Sequence, residues 1–251
     1  MSKTVVLLPT YNERDNVSLI VEEIFQTDPT LCVLVIDDSS PDGTGEVIGS
    51  LMETYPNLAL LSRPGKEGLG EAYKAGMLQV LRDTSVDRII TMDADGSHAA
   101  HYLRDLLSAS ESHDLVIGSR YVEGGGIENW EGWRYTLSQG GNLYARTIVG
   151  LPIKDLTAGF ACFRANLLRK VDFSHIRASG YAFQIELKFC AVHTLKCSFK
   201  EVPIMFKARR EGESKISRHI IREGLKTPWR LFYRRWFNDP LKAPSTRPNH
   251  G

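Results

Sequence analysis

Residues 92–98 read MDADGSH, and the aspartates Asp93 and Asp95 come directly after the strand-like run RIIT at 88–91. Alternate residues of an extended chain point the same way, so the two carboxylates share one side. Like charges held that close repel unless a cation lies between them. Hard cations such as Mg²⁺ and Mn²⁺ take oxygen ligands, commonly one or two carboxylates plus substrate phosphates. One chemistry for this spacing is a metal that bridges the protein to a diphosphate. The plainer alternative is a solvated Asp-x-Asp turn that caps the helix behind it. Where the chain places the pair decides between them.

The elements around the pair follow from periodicity. TVVLL (4–8) is a short apolar run ended near Pro9 and reads as a buried strand. Val17, Ile20, Val21, Ile24 and Phe25 then recur at helical spacing, one face of a helix laid on a sheet. LCVLVI (31–36), residues 58–61, 88–92 and 115–119 read as further strands, with helices over 47–55, 69–81 and 101–110 between them. Alternating strands and helices predict an α/β fold with a doubly wound, mainly parallel sheet. Ligands of such sheets bind at the carboxyl ends of the strands. The residues there are PTYNE (9–13), DDSSPDGT (37–44), DADGSH (93–98) and RYVEGGG (120–126). A rim lined with acidic groups suits a cation or a ligand rich in hydroxyls. EGGGIENWEGWR (123–134) reads as a mobile loop with aromatic anchors. Beyond it come a strand-like stretch after Asp155, a helix around 183–192 and a strand at 199–206.

Composition narrows the class. At 42% hydrophobic and 24% charged residues the chain is that of an ordinary soluble globular protein, not a disordered one. Its four cysteines, Cys32, Cys162, Cys190 and Cys197, have no C-x-x-C spacing and read as free thiols in a reducing compartment. The N-terminal apolar run is too short for a signal peptide, and no stretch approaches the roughly 18–20 apolar residues of a membrane span. Neither G-x-x-x-x-G-K-[ST] nor G-x-G-x-x-G follows the first strand, which argues against a P-loop NTPase and a dinucleotide-binding dehydrogenase. The net charge of +1 hides a block: residues 207–236 carry ten Lys/Arg against three Asp/Glu. A local basic block calls for an anionic partner.

PTYNE, VIDDSSPDGT and MDADGSH resemble the glycosyltransferases of family 2, which have the GT-A fold. GSRYVEGGGIENW (118–130), IKDLTAGFACFR (153–164), SGYAFQIEL (179–187) and EVPIMFKARREGESKIS (201–217) narrow the resemblance to the dolichol-phosphate (polyprenol-phosphate) mannosyltransferases. The resemblance implies that Pro9, Tyr11, Glu13, Ile36 and Asp38 hold the base and ribose of a nucleotide sugar. A carboxylate such as Asp38 can accept two N–H bonds from a guanine edge; it can equally cap a helix. Asp93, Ala94 and Asp95 would cradle sugar and diphosphate, with Asp95 on a Mg²⁺ or Mn²⁺ ion. Ser97 stands where some relatives carry Gln, and would reach the metal directly or through water. His98 reads as structural, since a hard cation prefers oxygen. Arg120, Arg209 and Lys215 are the matching cations for the phosphates, and Asp93, Asp95 and Arg120 the implied catalytic residues.

The implied reaction moves mannose from GDP-mannose to a polyprenyl phosphate with inversion. The alternatives are transfer of glucose or another hexose to the same acceptor, or a non-catalytic nucleotide-sugar-binding scaffold. Arg218, Arg222, Lys226, Arg230 and Arg234 recur every fourth residue among Ile, Leu, Phe and Trp. They predict a cationic amphipathic helix, interrupted near Pro228, that lies on a membrane surface or packs on the domain with a charged outer face. The expected layout is a catalytic domain over 1–215, the basic helical segment over 216–240 and a flexible tail over 241–251. The expected location is the cytoplasmic face of a membrane, held peripherally, with a separate membrane-anchoring protein as a possible partner. No nucleic-acid partner is expected, because the basic surface sits beside a sugar-phosphate site.

Overall fold

The structure, a computed structural model, describes residues 3–128, 132–207 and 218–237. Its first half alternates as the periodicity predicts: β1 (Lys3–Thr10), α1 (Arg14–Thr27), β2 (Cys32–Asp37), α2 (Thr44–Thr54), β3 (Leu58–Ser62), α3 (Leu69–Val80), β4 (Val86–Thr91), α4 (Leu103–Ala109) and β5 (Leu115–Ser119). The second half adds β6 (Gly126–Glu128), α5 (Gly132–Val149), β7 (Ala161–Arg164), α6 (Ala165–Leu168), α7 (Tyr181–Phe189), β8 (Phe199–Pro203), β9 (Met205–Lys207) and α8 (Arg218–Phe237).

Among the described residues the main sheet runs β3-β2-β1-β4-β7-β5-β8, and β6 pairs with β9 in a small second sheet. The side chains of β1 alternate between two cores. Val5 and Leu7 pack under α3 and α7, while Val6 and Leu8 pack against α1. Both faces are covered, which is why the strand is continuously apolar instead of alternating with polar residues. The α1 stripe of Val17, Ile20, Val21 and Ile24 is wholly buried, each such side chain contributing about 1.5–3 kcal/mol of burial.

One strand breaks the parallel pattern, and the site depends on it. β7 runs antiparallel to both β4 and β5. β5 is therefore parallel to β4, and the carboxyl ends of β1 to β5 meet at one rim. Because β7 begins at that rim, the chain leading into it, residues 154–160, arrives there too.

Two expectations need correction. Gly132–Val149 forms α5 where a loop was expected to run to Arg134 and no element beyond it. Gly140 and Gly141 lower its helix propensity, and its packing against α8 overrides them. Second, α8 continues through Pro228 without the expected interruption. Proline removes one helical bond, but Thr227 and Pro228 are buried on the domain, and that packing holds the turn. The four cysteines are free, as expected. Among the described residues no helix is long and apolar enough to cross a membrane.

Candidate active site

At the end of β4 the chain bends immediately, so strand alternation does not govern the two aspartates. Asp93 is three-quarters buried and accepts a hydrogen bond from the Tyr73 hydroxyl of α3 at 3.2 Å. Asp95 is 4% exposed and accepts the Ser97 amide at 3.0 Å, closing a turn in which Gly96 takes φ +75°, a conformation that favours glycine. Ser97 Oγ is buried beside that turn with no hydrogen-bond partner among the described residues. Buried hydroxyls are almost always bonded, so an orphan next to a buried carboxylate fits a site that takes a further ligand. A divalent cation suits the pair, and Asp95 and Ser97 are the residues that could hold it. No group of three His, Cys, Asp or Glu residues among the described ones could hold a metal, so water and substrate oxygens would complete the shell of an ion held there. The ion would neutralise charge on a leaving diphosphate.

His98 is structural, as read. It stacks on Phe160 with ring centroids 5.1 Å apart, meets Phe206 edge-on at 5.2 Å, and accepts the Asp93 amide on Nδ1 at 3.3 Å. Burial holds its pKa below the usual histidine value, against the pull of Asp93 and Asp95. The neutral ring keeps the turn between β4 and α4 in place.

Arg120 leaves the end of β5 and is clamped by Asp155. Its Nε and Nη2 donate to the two Asp155 oxygens at 2.7 Å each, its amide donates at 3.0 Å, and Nη2 also reaches Thr157 Oγ1 at 2.8 Å. Burial by itself would raise the Asp155 carboxyl; the Arg120 charge and hydrogen bonds hold it below the usual carboxylate range. Two residues past Thr157, Gly159 lies against Asp93: a Cβ there would sit 3.3 Å from Asp93 Oδ2. One short segment thus touches both the cation and the first aspartate.

The other half of the rim lies over β1, β2 and β3. The two aspartates after β2 divide the work. Asp37 accepts from Thr10 Oγ1 and from the Ser40 amide at 3.0 Å each, tying the β1 and β2 ends together. Asp38 is buried and paired with Arg63 at 2.7 Å. Burial pushes the Asp38 carboxyl up, with Arg63 opposing. The helix-capping alternative for Asp38 falls instead to Asp42, which accepts from the Thr44 and Arg14 amides at the starts of α2 and α1. Tyr11 lies under the Lys66 ammonium at 4.1 Å. Glu13 accepts from Asn16 at 2.8 Å, and its amide donates to Thr44 Oγ1 at 3.2 Å. Pro9 is half-buried and Ala94 buried, both at the rim. Ile36 is fully buried, packed against Gly76 of α3 in the core below it. Arg209 and Lys215 lie outside the described residues.

Sequence reasoning missed Arg63, Asp155 and Tyr73. Arg63 follows the third strand, the one strand end not inspected. Asp155 stands inside IKDLTAGFACFR, but nothing in the spacing pairs it with Arg120. Tyr73 sits at a core position of α3, indistinguishable there from a packing residue.

Part of the basic stripe of α8 faces the domain, where both readings of the sequence had it outward. Arg230 and Arg234 turn inward onto the buried Glu186 of α7, at 2.7 and 3.0 Å. Arg235 donates to the Val149 and Gly150 carbonyls, and Glu223 accepts the Ser179 amide at 2.6 Å. Leu225, Trp229, Phe232, Tyr233 and Trp236 are exposed, as are Trp133, Leu137 and Leu143 of α5, the helix packed against α8. Tyr144 joins the two helices, donating to the Leu225 carbonyl and accepting from Trp229 Nε1, both at 2.9 Å. Arg222 and Lys226 remain exposed; the Arg218 side chain lies outside the described residues.

A mainly parallel sheet of this order with an acidic rim has the architecture of the GT-A nucleotide-sugar transferases. Comparison with known proteins agrees. The family model for glycosyl transferase family 2 matches residues 5–172, and the chain belongs to that family. It is 44% identical over 225 residues to the polyprenol monophosphomannose synthase of Mycolicibacterium smegmatis, covering 89% of this chain and 84% of that protein. It is 41% identical over 231 residues to the undecaprenyl-phosphate mannosyltransferase of Micrococcus luteus, covering 91% and 94%. In fold it resembles the glucosyl-3-phosphoglycerate synthase of Mycobacterium tuberculosis, solved with Mn²⁺ and UDP, with a TM-score of 0.66 at 19% identity over 93% of this chain and 80% of that one.

Proposed function

We propose that this glycosyltransferase moves mannose from GDP-mannose to a polyprenyl monophosphate, with inversion at the sugar carbon, using Mg²⁺ or Mn²⁺, while held peripherally on the cytoplasmic face of a membrane. The relatives named as mannosyl-lipid synthases support the sugar and the acceptor class. Mn²⁺ in the synthase of like fold, and the orphaned Ser97 hydroxyl beside Asp95, support a divalent ion.

One observation carries the lipid half of this reading: α8 turns Arg230 and Arg234 inward onto Glu186 and its aromatic side chains outward. A helix packed on a soluble domain normally does the reverse. The exposed aromatic and leucine side chains of α8, with further ones on α5, suit the boundary between lipid headgroups and acyl chains. The membrane surface is therefore met mainly by apolar side chains, with Arg222 and Lys226 beside them.

The acceptor supplies its own nucleophile. The second pKa of a phosphate monoester is about 6, so the acceptor is largely dianionic at neutral pH and needs no general base. Its oxygen attacks the sugar carbon as the bond to the diphosphate breaks. Asp93 and Ala94 orient the sugar, and Asp38 with Tyr11 and Glu13 holds the nucleoside. Arg120, together with Arg209 and Lys215, stabilises charge on the phosphates. The test offers GDP-mannose, UDP-glucose and UDP-N-acetylglucosamine with a short polyprenyl phosphate. Mannose alone is expected in the lipid fraction. Glucose there would overturn the donor assignment, and no transfer from any donor would favour a binding scaffold.

A further inference from the structure

Residues 154–159 form no helix or strand, yet their backbone is held from four directions. The Lys154 and Asp155 amides donate to Glu201 of β8 at 2.7 and 2.8 Å. Asn142 of α5 donates to the Lys154 carbonyl at 2.6 Å and accepts the Leu156 amide at 2.9 Å. Thr91 of β4 donates to the Gly159 carbonyl at 2.6 Å. Lys188 of α7 donates to the Leu156 and Ala158 carbonyls at 3.2 and 2.5 Å. Irregular backbone inside a protein must find such partners, because each unpaired polar group is costly there.

Lys188 is the exceptional member. It is fully buried, and the Asp155 carboxylate near it is already bonded to Arg120. Burial pulls its amine down to about 7. A methionine or leucine would fill the same volume on α7 without that cost. What an apolar side chain cannot do is donate to both carbonyls between Asp155 and Gly159.

We propose that Lys188 is a positioning residue for the transfer reaction, fixing the segment that clamps Arg120 at one end and backs Asp93 at the other. The inference rests on the proposed function in taking Arg120 and Asp93 to act in transfer. It separates the two halves of the rim: the segment touches the β4 and β5 ends, not the Tyr11–Asp38–Arg63 half.

The test is Lys188→Met in the full chain, read two ways. In turnover, kcat is expected to fall about a hundredfold, the scale of an ångström's misplacement, with the Kd for GDP raised by far less, no more than about tenfold. In hydrogen exchange, the amides of Asp155, Leu156 and Arg120 are expected to exchange at least tenfold faster, with those of β1 and β2 unchanged. Equal losses in kcat and GDP affinity would show a merely structural role and overturn the proposal. So would unchanged exchange in the segment, or raised exchange with wild-type turnover. If Lys188→Met does not fold, Lys188→Gln and Glu201→Gln, which loosens the same segment from the opposite side, are read by the same criteria. A wild-type protein that moves no mannose would defeat the proposed function, while the exchange result would still decide whether Lys188 fixes the segment.

Discussion

The Arg120 guanidinium and the Asp155 carboxylate, 35 residues apart in sequence, meet through two contacts of 2.7 Å. Asp155 is wholly buried, so its charge is compensated by Arg120 and not by water. The pair joins the end of β5 to the segment entering β7, and so fixes a cation at the rim. Removing one partner of a buried pair typically costs about 3–5 kcal/mol. Asp155→Asn is expected to lose stability of that order in urea unfolding, and to lose transfer with it. Arg120→Lys should keep more stability than activity, since an ammonium cannot reproduce the fork. Equal stability in wild type and Asp155→Asn would contradict the pairing.

Asp93 and Asp95 are held by different partners, and their substitutions should differ in detail while agreeing in outcome. Asp93→Asn and Asp95→Asn are each expected to abolish transfer with the melting temperature little changed. Ser97→Ala should leave most of the turnover at saturating metal but raise several-fold the Mn²⁺ concentration needed for half-maximal activity. Near-normal turnover in both aspartate variants would end the proposed mechanism.

The Asp38–Arg63 pair predicts a coupling between fold and donor. Asp38→Asn is expected to weaken GDP binding at least tenfold by calorimetry while UDP binding changes little. Arg63→Ala leaves the Asp38 carboxylate buried and uncompensated, and should cost about 3–5 kcal/mol of stability as well as GDP affinity. Unaltered GDP affinity in both variants would remove this pair from the nucleoside site.

Membrane attachment should follow the aromatic face of α8. Trp229→Ala with Trp236→Ala is expected to weaken binding to vesicles containing anionic lipid at least tenfold in a sedimentation assay, with only a modest dependence on salt. Arg222→Ala and Lys226→Ala should weaken it less and remove that salt dependence. Glu186→Gln, which takes the charge from the partner of Arg230 and Arg234, should loosen α8 and raise its susceptibility to proteolysis. Vesicle binding that survives loss of both tryptophans would place the contact elsewhere.

Lys188 gives a pH signature. Its folded pKa, about 7, lies below the ordinary lysine value near 10.4. Between those values the unfolded chain binds the proton that the folded chain has released, so stability rises with pH. The limiting slope for one such group is about 1.4 kcal/mol per pH unit. Urea unfolding of wild type at pH 7 and pH 9 should show that gain relative to Lys188→Met, in which it is absent. Parallel pH dependence in the two proteins would contradict the depressed value.

Much of the rim was legible without coordinates. Runs such as TVVLL and stripes such as Val17–Ile20–Val21–Ile24 report burial directly, because a strand covered on both faces must be apolar throughout and a helix laid on a sheet must be apolar on one side. With the strands placed, the acidic segments after β1, β2 and β4 fell at one edge, and their resemblance to those of the family 2 glycosyltransferases pointed to the family. Tertiary structure decided the rest. No periodicity says that β7 runs antiparallel, yet that direction brings Asp155 to Arg120. Spacing by four put Arg230 and Arg234 on one stripe of α8; only Glu186, 44 residues before Arg230, turned that stripe inward. A repeat in sequence shows which side chains share a face, whereas the partner covering that face lies on another element, and its charge determines whether the face is buried or exposed.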